Sequence, residues 1–175
     1  MCNRAPSYHV IRFEWHVPVT PGAGFRLRWP SVAGFRLLRA DEALWRPSNL
    51  MGVVNTDLGR QLGSDQLAAR FWRLAPGQAS TRHRHVAQSE LYVVLEGTGR
   101  VRVGADVLTL APRSALLVAP STVRQVFNDT GVDALWLVVG TPVEAADTRT
   151  MTSEQLAELY PDGPRALPPE LAPSE

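Results

Sequence analysis

One stretch of the sequence, GQASTRHRHVAQSELYVVLEG at residues 77–97, decides how the chain is interpreted. It contains two of the four histidines of the protein, His83 and His85, separated by one residue. In a β-strand, alternate side chains share a face and lie about 6.8 Å apart. Two imidazoles so placed can bind one metal ion through bonds of about 2.1 Å. Glu90 follows at the start of an apolar run, so the stretch predicts a metal site built on β-structure.

The alternative is a solvated basic loop, which a His-x-His pair alone would favour. The wider spacing favours the metal site, because five positions resemble the first motif of the cupin family without a gap: Gly77, His83, His85, Glu90 and Gly97. This resemblance covers residues 50–141. It implies a small antiparallel β-barrel of jelly-roll type with a metal inside, usually iron, manganese, nickel, zinc or copper. It also implies that the two histidines and Glu90 are three of four metal ligands, and that the glycines are turn residues.

The fourth ligand of the family is a histidine in a second motif, which is degenerate in this sequence. Aligned on Asn128, that motif places Arg124 at the histidine position. Arginine stays protonated and has no lone pair with which to bind a metal. A shift of one residue places Gln125 there, which offers an amide oxygen but loses the match at Asn128. We prefer the first alignment, because Asn128-Asp129-Thr130-Gly131 is typical of the turn that follows the motif.

Three arrangements around Arg124 remain open. In the first, the first-motif ligands form a three-ligand site with open coordination positions, and Arg124 beside the metal binds an anionic substrate. In the second, Gln125, His9 or His16 completes the site. In the third, Arg124 pairs with Glu90, stabilises the ionised carboxylate, and no metal binds.

Strand alternation assigns further residues to the interior. Tyr92 shares a strand face with the carboxylate ligand, where it could donate a proton to a ligand or simply fill the core. Arg70 and Trp72 line the pocket if Leu74 faces inward. If the alternation is shifted by one residue, Phe71 faces inward and Arg70 is solvated.

Residues 49–141 as a whole predict an all-β fold, the antiparallel barrel that the resemblance implies. Short runs rich in valine, leucine and aromatic residues alternate with turn signals made of glycine, proline, asparagine and aspartate. The expected strands are Gln66–Leu74, Glu90–Leu95, Arg100–Val103, Val107–Leu110, Ala115–Val118, Thr122–Phe127 and Asp133–Val139.

The zone before the barrel, residues 1–48, is interpreted as an irregular N-terminal arm. It contains a short duplication, AGFRL at 23–27 and again at 33–37, which is either two edge strands or chance. Its tryptophans indicate that the arm packs onto the barrel or onto a second subunit.

The zone after the barrel, residues 142–175, is interpreted as a linker, a short helix and a proline-rich tail. Thr152 and Gln155 form a capping-box pattern, and Pro161 ends the helix. The tail is expected to be extended or disordered.

Composition excludes several classes of function. The chain has 175 residues, which suggests one domain, and all 18 of its basic residues are arginine, so lysine Schiff bases, pyridoxal-phosphate anchors and phosphate-loop lysines are excluded. The net charge of +1 argues against nucleic-acid binding. The single cysteine, Cys2, excludes an internal disulfide and favours a reducing cytoplasm. We expect neither a signal peptide in residues 1–18 nor a membrane helix.

Two functions are compatible with these features. The first is a metal-dependent enzyme with one divalent transition metal (Fe, Mn, Zn or Ni), of the oxygenase, isomerase, decarboxylase or cyclase type. It would act on a small anionic organic substrate, with Tyr92 and Arg124 as catalytic residues and Arg124, Arg70 and Trp72 as substrate-binding residues. The second is a non-catalytic ligand-binding or accessory cupin, metal-free, with Arg124 paired to Glu90. The resemblance also implies a homodimer, with the N-terminal arm as a candidate for strand exchange.

Overall fold

The computed structural model describes residues 34–144 and 148–172. Nine strands, two α-helices and one 3-10 helix lie in this part of the chain. In chain order they are β1 (Arg46–Pro47), β2 (Val54–Asp57), α1 (Leu58–Gln61), β3 (Ala68–Leu74), β4 (Ser89–Glu96), β5 (Gly99–Val103), β6 (Asp106–Leu110), β7 (Ala115–Val118), β8 (Arg124–Phe127), β9 (Ala134–Thr141), α2 (Ser153–Leu159) and a 3-10 helix (Pro169–Leu171).

The strands form two antiparallel sheets. One has six strands in the order β1-β2-β3-β9-β4-β7, and the other has three in the order β6-β5-β8. The expected all-β class is therefore confirmed. All seven expected strands are present with ends within two residues of the expected ones, and Ala115–Val118 has the expected bounds.

Period-two alternation places one face of the six-stranded sheet inside. Along β4, Glu90, Tyr92 and Val94 face inward, and the last two pair with Val138 and Trp136 of β9. Burial of a large apolar side chain contributes about 1.5–3 kcal/mol, so this face carries much of the stability. The core cluster comprises Val53, Leu74, Tyr92, Val94, Val101, Val118, Val126, Ala134, Trp136 and Val138.

The two glycines of the first motif hold turns that bound the ligand-bearing stretch. Gly77 has φ 78° and Gly97 has φ 72°, both in the left-handed region where a side chain is strained. At Gly97, a Cβ atom would also lie 2.2 Å from the carbonyl oxygen of Asp133. Glycine is required there by both conformation and space.

The sequence did not predict β1, β2 and α1. Strand β2 is short and polar, which is typical of a loop, yet Asn55 and Thr56 are buried. Their polar atoms are bonded: the Gln61 amide donates to the Thr56 hydroxyl at 2.7 Å, and the Asn55 amide donates to the carbonyl oxygen of Val53 at 3.2 Å. Tertiary hydrogen bonds outweigh the loop-like composition.

The duplicated AGFRL segment is only partly within the described residues. Residues 34–37 of the second copy form no strand, and Phe35 and Leu37 are exposed there, so the edge-strand interpretation is wrong for this copy. The first copy lies outside the described residues, as do His9, His16 and the tryptophans at positions 15 and 29.

The C-terminal zone packs on the barrel. Helix α2 begins with the expected capping box of Thr152 and Gln155. The tail as far as residue 172 makes contacts with the barrel: Glu170 forms an ion pair with Arg102, and the carbonyl oxygen of Ala166 accepts from the Gln125 amide at 2.9 Å. These specific contacts fix a segment whose proline content alone predicts an open conformation. No helix within residues 34–144 and 148–172 is long and apolar enough to cross a membrane.

Candidate metal centre

The segment that carries the two histidines is paired with the start of β8. The backbone N–H of His83 donates to the carbonyl oxygen of Arg124 at 3.0 Å, and the N–H of Arg124 donates back at 2.8 Å. The N–H of His85 donates to the carbonyl oxygen of Pro120 at 2.9 Å. Side chains along this segment alternate in direction. Those of His83 and His85 point towards Glu90, whereas those of Arg82 and Arg84 bind the C-terminal zone.

His83, His85 and Glu90 form one cluster. Their candidate ligand atoms all lie within 4.8 Å of one another. The Nε2 atom of His83 is 3.6 Å from Oε2 of Glu90, and the Nε2 atom of His85 is 3.3 Å from Oε1. Ligand atoms bonded at about 2.1 Å to one tetrahedral ion lie about 3.4 Å apart. The spacing of this cluster therefore fits a metal ion.

Hydrogen bonds orient both imidazoles for metal binding. The Nδ1 atom of His83 lies 2.9 Å from the carbonyl oxygen of Thr81, which can only accept, so Nδ1 carries a proton and Nε2 is the nitrogen that can bind a metal. The Nδ1 atom of His85 lies 3.1 Å from a carboxylate oxygen of Glu144. The Nε2 atom of His85 is buried and has no hydrogen-bond partner among the described residues. A histidine that binds a metal through Nε2 typically has an oxygen acceptor at Nδ1, as both His83 and His85 have here.

Glu144 is a site residue that sequence reasoning missed. It lies in the zone interpreted as a linker, and its carboxylate accepts from the backbone N–H groups of Val86, Ala87 and Gln88 as well as facing His85. Burial alone would raise the pKa of Glu144, but these hydrogen bonds outweigh it and lower the pKa. The carboxylate is therefore ionised, as an acceptor for the imidazole must be. The one general rule that points to such a residue is that a metal-binding histidine usually has a carboxylate or carbonyl acceptor on its other ring nitrogen.

Glu90 is held as a carboxylate at the centre of the cluster. Burial would raise its pKa, but contacts with His83 and His85 outweigh burial and place the pKa well below its usual range. The Tyr92 hydroxyl donates to Oε2 of Glu90. Burial, followed by the negative charge of Glu90, raises the pKa of Tyr92 well above its usual range, so this hydroxyl stays protonated as a donor.

Arg124 is fully buried and does not line the cavity. Its Nη1 atom donates to the carbonyl oxygens of Pro120 at 3.0 Å and Thr122 at 2.9 Å, and its Nε atom lies 3.3 Å from Oε2 of Glu90. The Nε contact is an ion pair without hydrogen-bond geometry. Because Oε1 of Glu90 faces His85 instead, the ion pair and the three-residue cluster exist together, although the sequence presented them as alternatives.

The structure does not bring Gln125 to the cluster. Its side chain lies on the other face of β8, where the amide donates to the carbonyl oxygens of Ser80 at 2.8 Å and Ala166 at 2.9 Å. It fastens the C-terminal zone to the barrel.

A cavity of about 180 Å³ opens above the cluster. Arg70 and Trp72 line it, and Leu74 is buried. Phe71 lies on the opposite sheet face and stacks on Trp45 at a centroid distance of 6.3 Å. Tyr92 also lines the cavity.

The sequence of residues 70–140 matches the family described as Cupin domain. This stretch contains the cluster, the strands β4 to β8 and most of β3 and β9. Residues 70–140 form a cupin domain. The antiparallel sheets are those of the jelly-roll cupin fold, and solved cupin structures superpose on it.

A cupin from Silicibacter pomeroyi, described as a sugar phosphate isomerase, is 28% identical, with a TM-score of 0.56 over 62% of this chain and 76% of that one. The polyketide cyclase RemF from Streptomyces resistomycificus is 15% identical, with a TM-score of 0.57 over 69% of this chain and 89% of that one. A predicted oxalate decarboxylase from Thermotoga maritima is 18% identical, with a TM-score of 0.55 over 62% of this chain and 100% of that one. The last two likenesses establish the fold alone. No curated protein matches the chain in sequence.

Proposed function

We propose that the cupin domain binds one divalent transition metal through His83, His85 and Glu90 and holds a small anionic organic substrate beside it. One observation carries this proposal: both imidazoles have Nδ1 engaged outside the cluster, and the Nε2 atom of His85 is buried 3.3 Å from Oε1 of Glu90 without a hydrogen bond. A buried nitrogen lone pair without a partner is costly, and a metal ion would satisfy it. Two imidazoles and one carboxylate suit iron, manganese, zinc or nickel.

A bound metal would supply Lewis-acid chemistry at an oxygen atom of the ligand. The chain itself positions the groups. Tyr92 orients Glu90 through its hydrogen bond and is the proton donor nearest the cluster. Arg124 offsets the charge of Glu90 and fixes the loop at residues 119–122. We therefore assign binding of the anion to Arg70, which lines the cavity, rather than to Arg124, and we assign packing against the ligand to Trp72.

The substrate we favour is a small oxygen-rich anion. The likeness to the Silicibacter pomeroyi protein, described as a sugar phosphate isomerase, supports such a substrate. The lone cysteine supports a reducing cytoplasmic location. We also propose a homodimer. Deletion of residues 1–32 should then weaken dimerisation, and a truncated protein with unchanged dimer dissociation in sedimentation would contradict a role for the arm.

A second function, a metal-free ligand-binding cupin, is favoured by a different observation. Arg124 is fully buried with Nε 3.3 Å from Glu90, so the carboxylate has a counter-ion without any metal. In this case the cavity would bind its ligand through Arg70 and the polar groups of the cluster.

Elemental analysis of protein purified without a histidine tag distinguishes the two functions. The metal proposal predicts about one transition-metal ion per chain, and its loss in a His83→Ala, His85→Ala double variant that still folds. A matched control replaces the other two histidines, His9 and His16, with alanine and should keep the metal. Loss of metal in the control would show that those residues complete the site. Fully folded wild-type protein that binds no added metal would contradict the metal proposal.

A further inference from the structure

We propose that Arg70 and Tyr160, on two walls of the cavity, form a subsite that recognises the oxyanion group of a small organic ligand. This inference rests on the proposed function only in that the ligand occupies the same cavity. It adds a residue, Tyr160, from the zone that follows the cupin domain. Carboxylate and phosphate groups share the chemistry that this subsite would recognise.

Arg70 has one end of its guanidinium fixed and the other free. Its Nε and Nη2 atoms lie 3.2 Å and 3.0 Å from Oδ2 of Asp57, which leaves Nη1 without a partner among the described residues. The side chain is 39% exposed and lines the cavity. A fixed guanidinium that keeps free N–H donors is ready to bind an anion at little entropic cost.

Tyr160 comes to the cavity from the end of α2. It is 7% exposed, and its ring centroid lies 6.4 Å from that of His83. Its hydroxyl has no hydrogen-bond partner among the described residues and is not one of the fully buried polar atoms, so it is open to a ligand in the cavity that Tyr160 lines. Burial raises the pKa of Tyr160, while the charge of Arg70 acts in the opposite direction, so the two side chains are within electrostatic reach. The hydroxyl therefore stays protonated and can donate to an anion.

Tyr160 is held in place by contacts on both sides of it. The backbone N–H of Arg84 donates to the carbonyl oxygen of Leu159 at 2.9 Å, and Nε of Arg84 donates to that of Glu158 at 2.7 Å. Arg82 forms an ion pair with Asp162. The stretch at 82–85 thus has two roles: its histidines belong to the metal cluster, and its arginines hold the wall that carries Tyr160.

The arrangement has a consequence for the ligand. An oxyanion between the free N–H groups of Arg70 and the hydroxyl of Tyr160 accepts charge-assisted hydrogen bonds. The rest of the ligand then lies towards His83, whose ring is the neighbour of Tyr160. In a cavity of about 180 Å³, this selects small ligands with an anionic group at one end.

The test is calorimetric binding of acetate, malonate, succinate and methyl phosphate, each carboxylate compared with its neutral methyl ester. Each probe is measured with zinc-loaded and with chelator-treated protein. Arg70→Gln should weaken binding of the preferred anion by about tenfold, and Tyr160→Phe by about threefold, as expected for the loss of one charge-assisted and one neutral hydrogen bond. Binding of the esters should not change. The preferred probe shows whether the subsite takes carboxylate or phosphate.

The matched control is Arg73→Gln, which removes an arginine from the same strand but from the opposite face, where it pairs with Asp133 at 3.7 Å. This variant should bind the anions as the wild type does. The proposal is overturned if no anion binds more tightly than its neutral analogue, if Tyr160→Phe matches the wild type, or if Arg73→Gln weakens binding as much as Arg70→Gln. The chelator-treated arm separates this outcome from the metal proposal, because the subsite needs no metal to bind an anion.

Discussion

The cavity has two walls that are held in different ways. The barrel wall consists of β3, β9 and β4 in antiparallel register, with Trp136 fully buried, and of the segment at residues 81–85 that pairs with the start of β8. The C-terminal wall carries Tyr160 and is fastened by a few contacts, chiefly those of Arg82 and Arg84. Metal ligands need fixed geometry and lie on the first wall. Recognition of a particular ligand can change with the second wall while the first stays as it is.

The largest expected effect belongs to the barrel wall. Arg124→Gln should lower the free energy of unfolding by about 3 kcal/mol, because it removes a buried cation from Glu90 and takes the guanidinium donor from the carbonyl oxygens of Pro120 and Thr122. Urea unfolding measures this. The control is Arg100→Gln, which breaks a more exposed pair with Asp129 and should cost less than about 1 kcal/mol. Equal stability of the two variants would contradict a structural role for Arg124.

Glu144 joins the two walls, and its removal should have an intermediate effect. Glu144→Gln weakens the acceptor for Nδ1 of His85 and should raise the Kd for zinc by about 10–100-fold, as for other partners of metal-binding histidines. Competition with a chromophoric chelator measures the Kd. A carboxylate outside the site, Glu154 on α2, supplies the matched control as Glu154→Gln, which should leave zinc binding unchanged. If both variants bind zinc as the wild type does, Glu144 does not support the site.

The smallest effect is expected at the edge of the C-terminal wall. Glu170→Ala breaks the ion pair with Arg102 and should cost about 1 kcal/mol or less. It should nonetheless speed proteolysis after residue 160, because that part of the tail is held by few other contacts. Asp106→Ala, an exposed hairpin substitution, is the control. Proteolysis at the wild-type rate would mean that packing of the prolines, rather than the ion pair, holds the tail.

The difference between the walls also explains what the sequence could predict. The seven expected strands follow from alternation and turn residues, and the cluster of His83, His85 and Glu90 follows from the resemblance of one stretch, with its fixed spacing, to a family motif. These patterns depend on neighbours in sequence, so they can be recognised without a structure. The positions of Gly77 and Gly97 at turns are of the same kind.

The parts that could not be predicted depend on distant contacts. Glu144 meets His85 across 59 residues, and nothing near position 144 in the sequence marks it as a partner. The direction of the Arg124 side chain depends on three carbonyl groups of the loop at residues 119–122, which no propensity records. Tyr160 follows a predicted helix, but its role depends on where that helix docks.

The most direct test of the central claim is anomalous scattering from crystals of the full chain grown with zinc. We expect one strong anomalous peak per chain, within bonding distance of Nε2 of His83, Nε2 of His85 and the carboxylate of Glu90. The guanidinium of Arg124 should still donate to the carbonyl oxygens of its loop. No peak at this position in crystals grown with saturating zinc would contradict the metal centre. A peak coordinated by other residues would contradict it equally.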